Sequence, residues 1–244
     1  MTDEERYAFD LQGFLVRRRA LDLDTVAELN DAVHRLQLGT PNNHDIMSQR
    51  FWGHLGQHPA FVDLVDHPAI IDIVVELCGA NVRLDHAYGI VMDPGNVGLD
   101  LHGGGHVWDP AQYYVVDRTG IHTGLVAVQW AISNSRPGDG GFACVPGSHK
   151  SAFRPPRLAL DHPLVVEVPL AAGDVVVFTE ALTHGTSTWK AAHQRRTLLY
   201  KYSPGSSSWS DDHQPPPGLD VTALTARQRR LFQPPSVARH ERAQ

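Results

Sequence analysis

Two histidines stand where strand-like runs meet glycine. His102 closes Leu99-Asp100-Leu101-His102 and is followed by Gly103-Gly104-Gly105-His106, and His184 sits in Thr179-Glu180-Ala181-Leu182-Thr183-His184-Gly185. A short interval later comes Gln194-Arg195-Arg196-Thr197-Leu198-Leu199-Tyr200. Neutral imidazole is the commonest side-chain ligand for first-row metals. Two histidines and a carboxylate on one face of Fe(II) leave open positions for other ligands. Residues i and i+2 of a strand point the same way, so His-x-Asp at a strand end would aim both groups at one ion. Here the i+2 residue is Gly104. An arginine offers a planar fork that grips a carboxylate bidentately. The set therefore reads as a mononuclear iron site, short of its carboxylate, beside an arginine for a dicarboxylic co-substrate. Each histidine taken alone also fits a structural role.

His102-Gly103-Gly104-Gly105 also matches the oxyanion-hole signature of some lipases and esterases. Those enzymes need a Gly-x-Ser-x-Gly elbow, which the chain lacks, and Ser206-Ser207-Ser208 reads as a polar loop. The glycines also suit a backbone turn with positive φ.

The elements that must position these groups follow from periodicity. Thr2 and Glu5 have capping-box spacing, which predicts a helix over 3–11 before Gly13. Phe14-Leu15-Val16 reads as a strand. Asp22 or Asp24 can cap a second helix, along which Val26, Leu29, Val33 and Leu36 recur before Gly39. Residues 40–58 read as a polar surface loop that could cover a site. Phe61 to Cys78 is one interrupted helix or two short ones, ended by Gly79. From residue 81 the period becomes two: Leu84, His86, Tyr88 and Ile90 alternate with their neighbours. Further strands are expected at 99–102, 122–133, 141–145, 164–170, 174–180 and 195–202, with a long excursion at 103–121. Pro215-Pro216-Pro217 and a short helix near 222–232 make up the tail.

This pattern predicts an α+β fold: a double-stranded β-helix (jelly roll, cupin-like) core with the N-terminal helices packed outside. The 244 residues read as one domain, with a helical part at 1–80, a jelly-roll core at 81–204 and a tail at 205–244. The net charge of −6 offers no basic field for a nucleic acid polymer or an anionic membrane. No apolar run approaches the ~20 residues of a membrane helix. Cys78 and Cys144 are too few for a disulfide framework, and the first residues are acidic and unlike a signal peptide. A cytoplasmic protein is expected.

Several stretches resemble the phytanoyl-CoA dioxygenase-like Fe(II)/2-oxoglutarate oxygenases over roughly residues 5 to 204. They are Phe9-Asp10-Leu11-Gln12-Gly13-Phe14-Leu15-Val16, Leu101-His102, and Gly140-Gly141-Phe142-Ala143-Cys144-Val145-Pro146-Gly147-Ser148-His149-Lys150. Ala172-Gly173-Asp174-Val175-Val176-Val177-Phe178, Thr183-His184-Gly185 and Arg195-Arg196-Thr197-Leu198 complete the set. The resemblance implies Fe(II), with 2-oxoglutarate and O2 as co-substrates. It makes His102 and His184 the metal histidines and Arg195 the anchor of the far 2-oxoglutarate carboxylate. Arg196 is the alternative, since adjacent strand residues face opposite ways. Gln129 and Trp130 fall where the family lines the co-substrate pocket, and His149 reads as a structural turn residue.

The chain departs from the family at Gly104, where most members carry Asp. Iron/2-oxoglutarate halogenases share this His-x-Gly or His-x-Ala pattern, with chloride in the carboxylate's place. The leading expectation is accordingly a halogenase chlorinating an aliphatic C–H bond of a free small metabolite. A hydroxylase is the alternative, with Asp109 or Glu180 as carboxylate ligand and Asp93 or Asp100 as weaker candidates. A non-catalytic small-molecule binder is the third reading. No docking patch suggests a carrier protein. A nucleotide is one candidate substrate, whose phosphate could meet Arg83, Arg118, Arg154, Arg157 or Lys150.

Overall fold

The computed structural model describes residues 1–39, 48–104, 109–153 and 156–237. The chain opens with α1 (Asp3–Gln12), β1 (Phe14–Arg17), α2 (Leu23–Arg35), β2 (Gln49–Trp52), α3 (Pro59–Asp63) and α4 (Ile71–Cys78). It continues with β3 (Arg83–Met92), β4 (Leu99–His102), β5 (Tyr114–Asp117), β6 (Gly120–Thr123), β7 (Val126–Ala131) and β8 (Gly141–Cys144). The last elements are β9 (Val166–Glu167), β10 (Val175–Thr179), β11 (His184–Ser187), β12 (Arg195–Ser203) and α5 (Ala226–Leu231). Among the described residues no helix is long and apolar enough to cross a membrane.

Local chemistry starts and stops the helices. Thr2 and Glu5 exchange side-chain and backbone hydrogen bonds in a capping box at α1. Gly13, at φ 82°, closes that helix by donating its N–H to the Phe9 carbonyl. Asp22 accepts from the Thr25 N–H and so caps α2, whose buried stripe is Val26, Leu29, Ala32 and Val33.

A six-stranded sheet runs β1-β10-β7-β12-β3-β2 and a four-stranded sheet runs β4-β11-β8-β9, all in antiparallel pairs. Period two divides the large sheet between two cores. Val126, Val128 and Trp130 of β7, with Leu198, Tyr200 and Tyr202 of β12, pack with the helical residues. Ala127 and Ala131 face the other way and pack with Phe142, Cys144 and Phe178 between the sheets. Buried hydroxyls fasten the helical layer: Tyr200 donates to the Phe61 carbonyl and Tyr202 to the Val65 carbonyl, each at 2.7 Å. The result is the expected α+β jelly roll with helices outside it.

Several boundaries differ from the sequence expectation. The first 80 residues are not only helical: β1, expected at 14–16, and the unexpected β2 both join the large sheet. β2 lies in the stretch read as a loop; its polar residues gave no strand signal, yet they pair along β3 from Gln49↔Val91 to Trp52↔Tyr88. Residues 40–47 of that stretch lie outside the described residues. The excursion after His102 contains the hairpin β5–β6. The strand expected at 122–133 is split, and the one at 164–170 shrinks to Val166–Glu167 with a bridge at Ser135↔Leu170. β11 was not anticipated: His184 begins a strand rather than following one.

Gly89 shows how β2 fits. It is the register partner of Phe51, and a Cβ at Gly89 would run into the buried Phe51 ring. Gly89→Ala is expected to cost about 1–3 kcal/mol through overpacking, read as a lower urea midpoint. An unchanged midpoint would mean that Phe51 moves aside freely.

Candidate active site

β4 and β11 pair so that His102 and His184 are direct register partners across the small sheet. Their ring centroids are 4.3 Å apart. A backbone carbonyl only accepts, so each contact to one fixes a proton on the imidazole. His102 Nδ1–H donates to the Asp100 carbonyl at 2.9 Å and His184 Nδ1–H to the Leu182 carbonyl at 2.7 Å. Nε2 of each ring makes no hydrogen bond among the described residues, as in histidines oriented for a metal. His184 is buried, and burial draws its pKa down to about 4, so it is neutral at pH 7.

Gly104 does not continue the strand. β4 ends at His102, and Gly103 and Gly104 both lie in the left-handed region, at φ 74° and 71°. The i+2 alternation therefore does not extend to Gly104. A Cβ there would run into Thr183 Oγ1 rather than follow the face of His102. This corrects the expectation that residue 104 is the open third position on the face of His102.

Of the candidate carboxylates, Glu180 lies nearest the histidines. Its Oε2 is 3.9 Å from His184 Nε2, while its Oε1 accepts from Lys201 Nζ. Burial would raise its pKa, but Lys201, His184 and His102 outweigh that and bring it down to about 2. Asp109 is committed elsewhere, accepting from the backbone N–H groups of Ala111 and Gln112 at 2.7 and 3.1 Å. Asp93 accepts from Gln194, and both Asp93 and Asp100 are exposed. Among the described residues no three His, Cys, Asp or Glu side chains are spaced as a finished metal site.

The two arginines separate by strand parity. Arg196 faces the helical layer, donating to Gln194 Oε1 at 2.7 Å and to the carbonyl and side-chain oxygens of Asn30. Arg195 faces the other way and is 3% exposed. The one hydrogen bond of its guanidinium among the described residues goes to Met92 Sδ at 3.3 Å. Burial lowers its pKa to about 10, which leaves it charged at pH 7. It borders a small recess with Gln129, Ser135, Phe142 and Thr197. Gln129 Nε2 and Thr197 Oγ1 are buried without hydrogen-bond partners among the described residues. A buried cation flanked by orphaned donors suits an anionic, oxygen-rich ligand. Trp130 is different: it packs in the helix-side core, its ring 5.3 Å from His67, and lines neither this recess nor the larger cavity. The expectation of a pocket role for Trp130 fails because adjacent strand residues face opposite sides.

A cavity of about 440 Å³ opens over the histidines. His102, His184, Glu180 and Lys201 line it, and Gln129 and Phe142 connect it with the Arg195 recess. Sequence reasoning missed Lys201, Arg50, Trp52, Tyr88 and Trp209. For Lys201 the signal was present, since counting by two from Arg195 gives Thr197, Leu199 and Lys201. Of the cations proposed for a phosphate, Arg83, Arg118, Arg157 and Lys150 do not line this cavity. Arg83 pairs with Asp85 at 2.8 Å, Lys150 pairs with Asp10 at 3.0 Å, and Arg118 and Arg157 are exposed. Arg154 lies outside the described residues. His149 is buried and donates from Nε2 to the Asp10 carbonyl at 3.1 Å, as a structural residue would.

Solved structures share this fold. HygX from Streptomyces hygroscopicus, solved with nickel and 2-oxoglutarate, is 24% identical with TM-score 0.77, over 85% of this chain and 89% of HygX. SnoK, an α-ketoglutarate-dependent carbocyclase from nogalamycin biosynthesis, is 20% identical with TM-score 0.68, over 90% and 94% of the two chains. EctD from S. alaskensis, solved with 2-oxoglutarate and 5-hydroxyectoine, is 18% identical with TM-score 0.67, over 84% and 77%. At these identities the likeness shows the fold. No curated protein sequence matches the chain. Residues 9–197 match the family described as phytanoyl-CoA dioxygenase. That match takes in β1 through the start of β12, with both histidines and Arg195, and the chain belongs to the phytanoyl-CoA dioxygenase family of iron- and 2-oxoglutarate-dependent oxygenases.

Proposed function

We propose that the chain oxidises a C–H bond of a free small molecule, with His102 and His184 as the histidine ligands of Fe(II), Glu180 as the carboxylate ligand and Arg195 as the anchor of 2-oxoglutarate. The observation that carries this reading is Arg195: a buried guanidinium with no carboxylate partner among the described residues, beside the orphaned Gln129 and Thr197. Burying such a charge is costly unless something anionic meets it. The far carboxylate of 2-oxoglutarate would do so bidentately, with Gln129 Nε2 and Thr197 Oγ1 as further donors.

Iron with 2-oxoglutarate and O2 supplies the oxidising power. The chain's own residues orient and exclude. The carbonyls of Asp100 and Leu182 hold both imidazoles in the tautomer that offers Nε2. Phe178, its ring 4.7 Å from that of His184, and Phe142 keep water from the inner side. Lys201 keeps Glu180 ionised and limits its motion. Substrate position in the cavity then selects the bond that reacts. That HygX has been solved with hygromycin B, and SnoN with nogalamycin RO, supports a small-molecule substrate.

Halogenation is the second reading. Its support is that Gly104 brings no carboxylate and that Lys201 already shares the charge of Glu180. Chloride would then be the anion beside the iron. The two readings part at Glu180. With Glu180 as ligand, Glu180→Gln loses stoichiometric Fe(II) binding and chloride has no effect. With chloride as ligand, Glu180→Gln keeps iron, added chloride tightens binding, and product mass shifts when bromide replaces chloride.

Three further outcomes are expected. His102→Ala and His184→Ala each lose stoichiometric Fe(II) binding in anaerobic equilibrium dialysis while keeping the parent circular dichroism; retention of iron by both would move the site elsewhere. Arg195→Ala weakens 2-oxoglutarate by about 2–5 kcal/mol in calorimetry, whereas Arg196→Ala leaves affinity near the parent's. The reverse ranking would reassign the anchor. Lys201→Met leaves Glu180 buried without its cation and is expected to cost about 3–5 kcal/mol of stability in urea. The double variant Glu180→Gln/Lys201→Met should recover part of that loss.

A further inference from the structure

Among the polar groups of the cavity that the proposed function does not use is His86. His86 lies on the face of β3 that also carries Tyr88, Ile90 and Met92 into the cavity. Its Nδ1 is 2.7 Å from Asp85 Oδ1. Asp85 is fully buried and also accepts from Arg83, Ser203 and Ser208 side chains and from the backbone N–H groups of Trp209 and Ser210. With so many donors, Asp85 stays a carboxylate, its pKa well below the usual range although burial opposes this. A carboxylate only accepts, so Nδ1 of His86 carries a proton, and in the neutral imidazole Nε2 is then the acceptor atom. His86 is a quarter exposed, and its Nε2 has no protein partner among the described residues.

Aromatic faces surround this acceptor. The His86 ring stacks on Tyr88 at 5.9 Å and 12°, and Trp52 lies 6.1 Å from Tyr88. Trp52 and Trp209 are 58% and 57% exposed, and with His86 they line both the 440 Å³ cavity and an adjoining one of about 470 Å³. Asp85 also holds the Trp209 backbone N–H, the point of the chain from which that indole projects. Thus one buried carboxylate holds both the imidazole and the backbone of one wall of the passage. Lys201 pairs with Glu180 and Arg83 with Asp85, Arg50 lies over the face of Tyr88 at 5.7 Å, and Asp211 and Asp212 line the adjoining cavity at its exposed side. A neutral ring gains from the flat aromatic faces, and its hydroxyl gains an acceptor.

We propose that His86, held by Asp85, is a substrate-orienting residue: its Nε2 accepts a hydrogen bond from a hydroxyl of a neutral, ring-shaped polyol lying against Trp52 and Trp209. This deepens the reading of the cavity as the substrate site and rests on it. No bond is made or broken in this role. The imidazole fixes which edge of the ring faces the histidine pair.

The test is a titration of tryptophan fluorescence in the full chain, with and without Fe(II) and 2-oxoglutarate, using methyl β-D-glucoside, myo-inositol and tetramethylammonium as probes. At least one ring polyol is expected to give saturable quenching and tetramethylammonium none. His86→Ala should weaken the polyol about threefold to tenfold, with partial rescue in His86→Gln, which keeps an acceptor. Trp209→Ala should weaken it to a similar degree. Asp85→Asn should behave like His86→Ala if it folds, and the His86 pair decides if it does not. The proposal is overturned if neither polyol saturates, if tetramethylammonium binds in preference, or if His86→Ala binds as tightly as the parent. Because binding is also read without iron or co-substrate, failure of the oxygenase reading shows separately, as no Fe(II) or 2-oxoglutarate binding by the parent.

Discussion

The alternation of side chains along β12 is the constraint on which both layers of the molecule depend. Leu198, Tyr200 and Tyr202 point to the helices and build the larger core, while Arg195, Thr197, Leu199 and Lys201 point between the sheets. A slip of one residue would exchange the two sets. It would put the Lys201 ammonium beside Phe61 and Val65, and turn tyrosines into the cavity over the histidines. The register is held from both sides, by β3 and β7, and by the tyrosine hydroxyls that reach the helical layer. The site is therefore as well fixed as the core is.

Much of this was legible in the sequence because it rests on local rules. The capping box at Thr2, the Asp22 cap, the glycine stop at Gly13 and the period-two run from Leu84 mark elements by short-range chemistry. The pairing of His102 with His184 could be expected from motif resemblance, but the register that makes them direct partners is a property of two strands distant in sequence. β2 and β11 escaped because their residues carry no strand pattern; they are strands because a neighbour accepts them. Parity along a strand was readable, but which parity faces the site was not, and Trp130 was misassigned for that reason.

Gly104 shows where a pattern argument stops. The His-x-Asp logic assumes that the strand persists through the third residue. Here the backbone turns left-handed directly after His102. The negative charge near the histidines instead comes from Glu180, at the end of a different strand. A buried carboxylate survives there only with a cation of its own, and Lys201 reaches it from the large sheet. The pair thus ties the two sheets together beside the histidines, which no single stretch of sequence discloses.

Three buried guanidinium or ammonium groups sharpen the contrast. Arg83 and Lys201 each meet a carboxylate of the chain itself. Arg195 meets a thioether and a set of orphaned donors. The desolvation of the first two is offset within the folded protein, so their contribution is largely structural. Arg195 has no carboxylate partner among the described residues, and in the function proposed above the far carboxylate of 2-oxoglutarate would supply one. A ligand that binds the folded chain alone stabilises it in proportion to the logarithm of its concentration over Kd. The position where the fold is least self-sufficient is therefore also where a dicarboxylate would be felt most strongly.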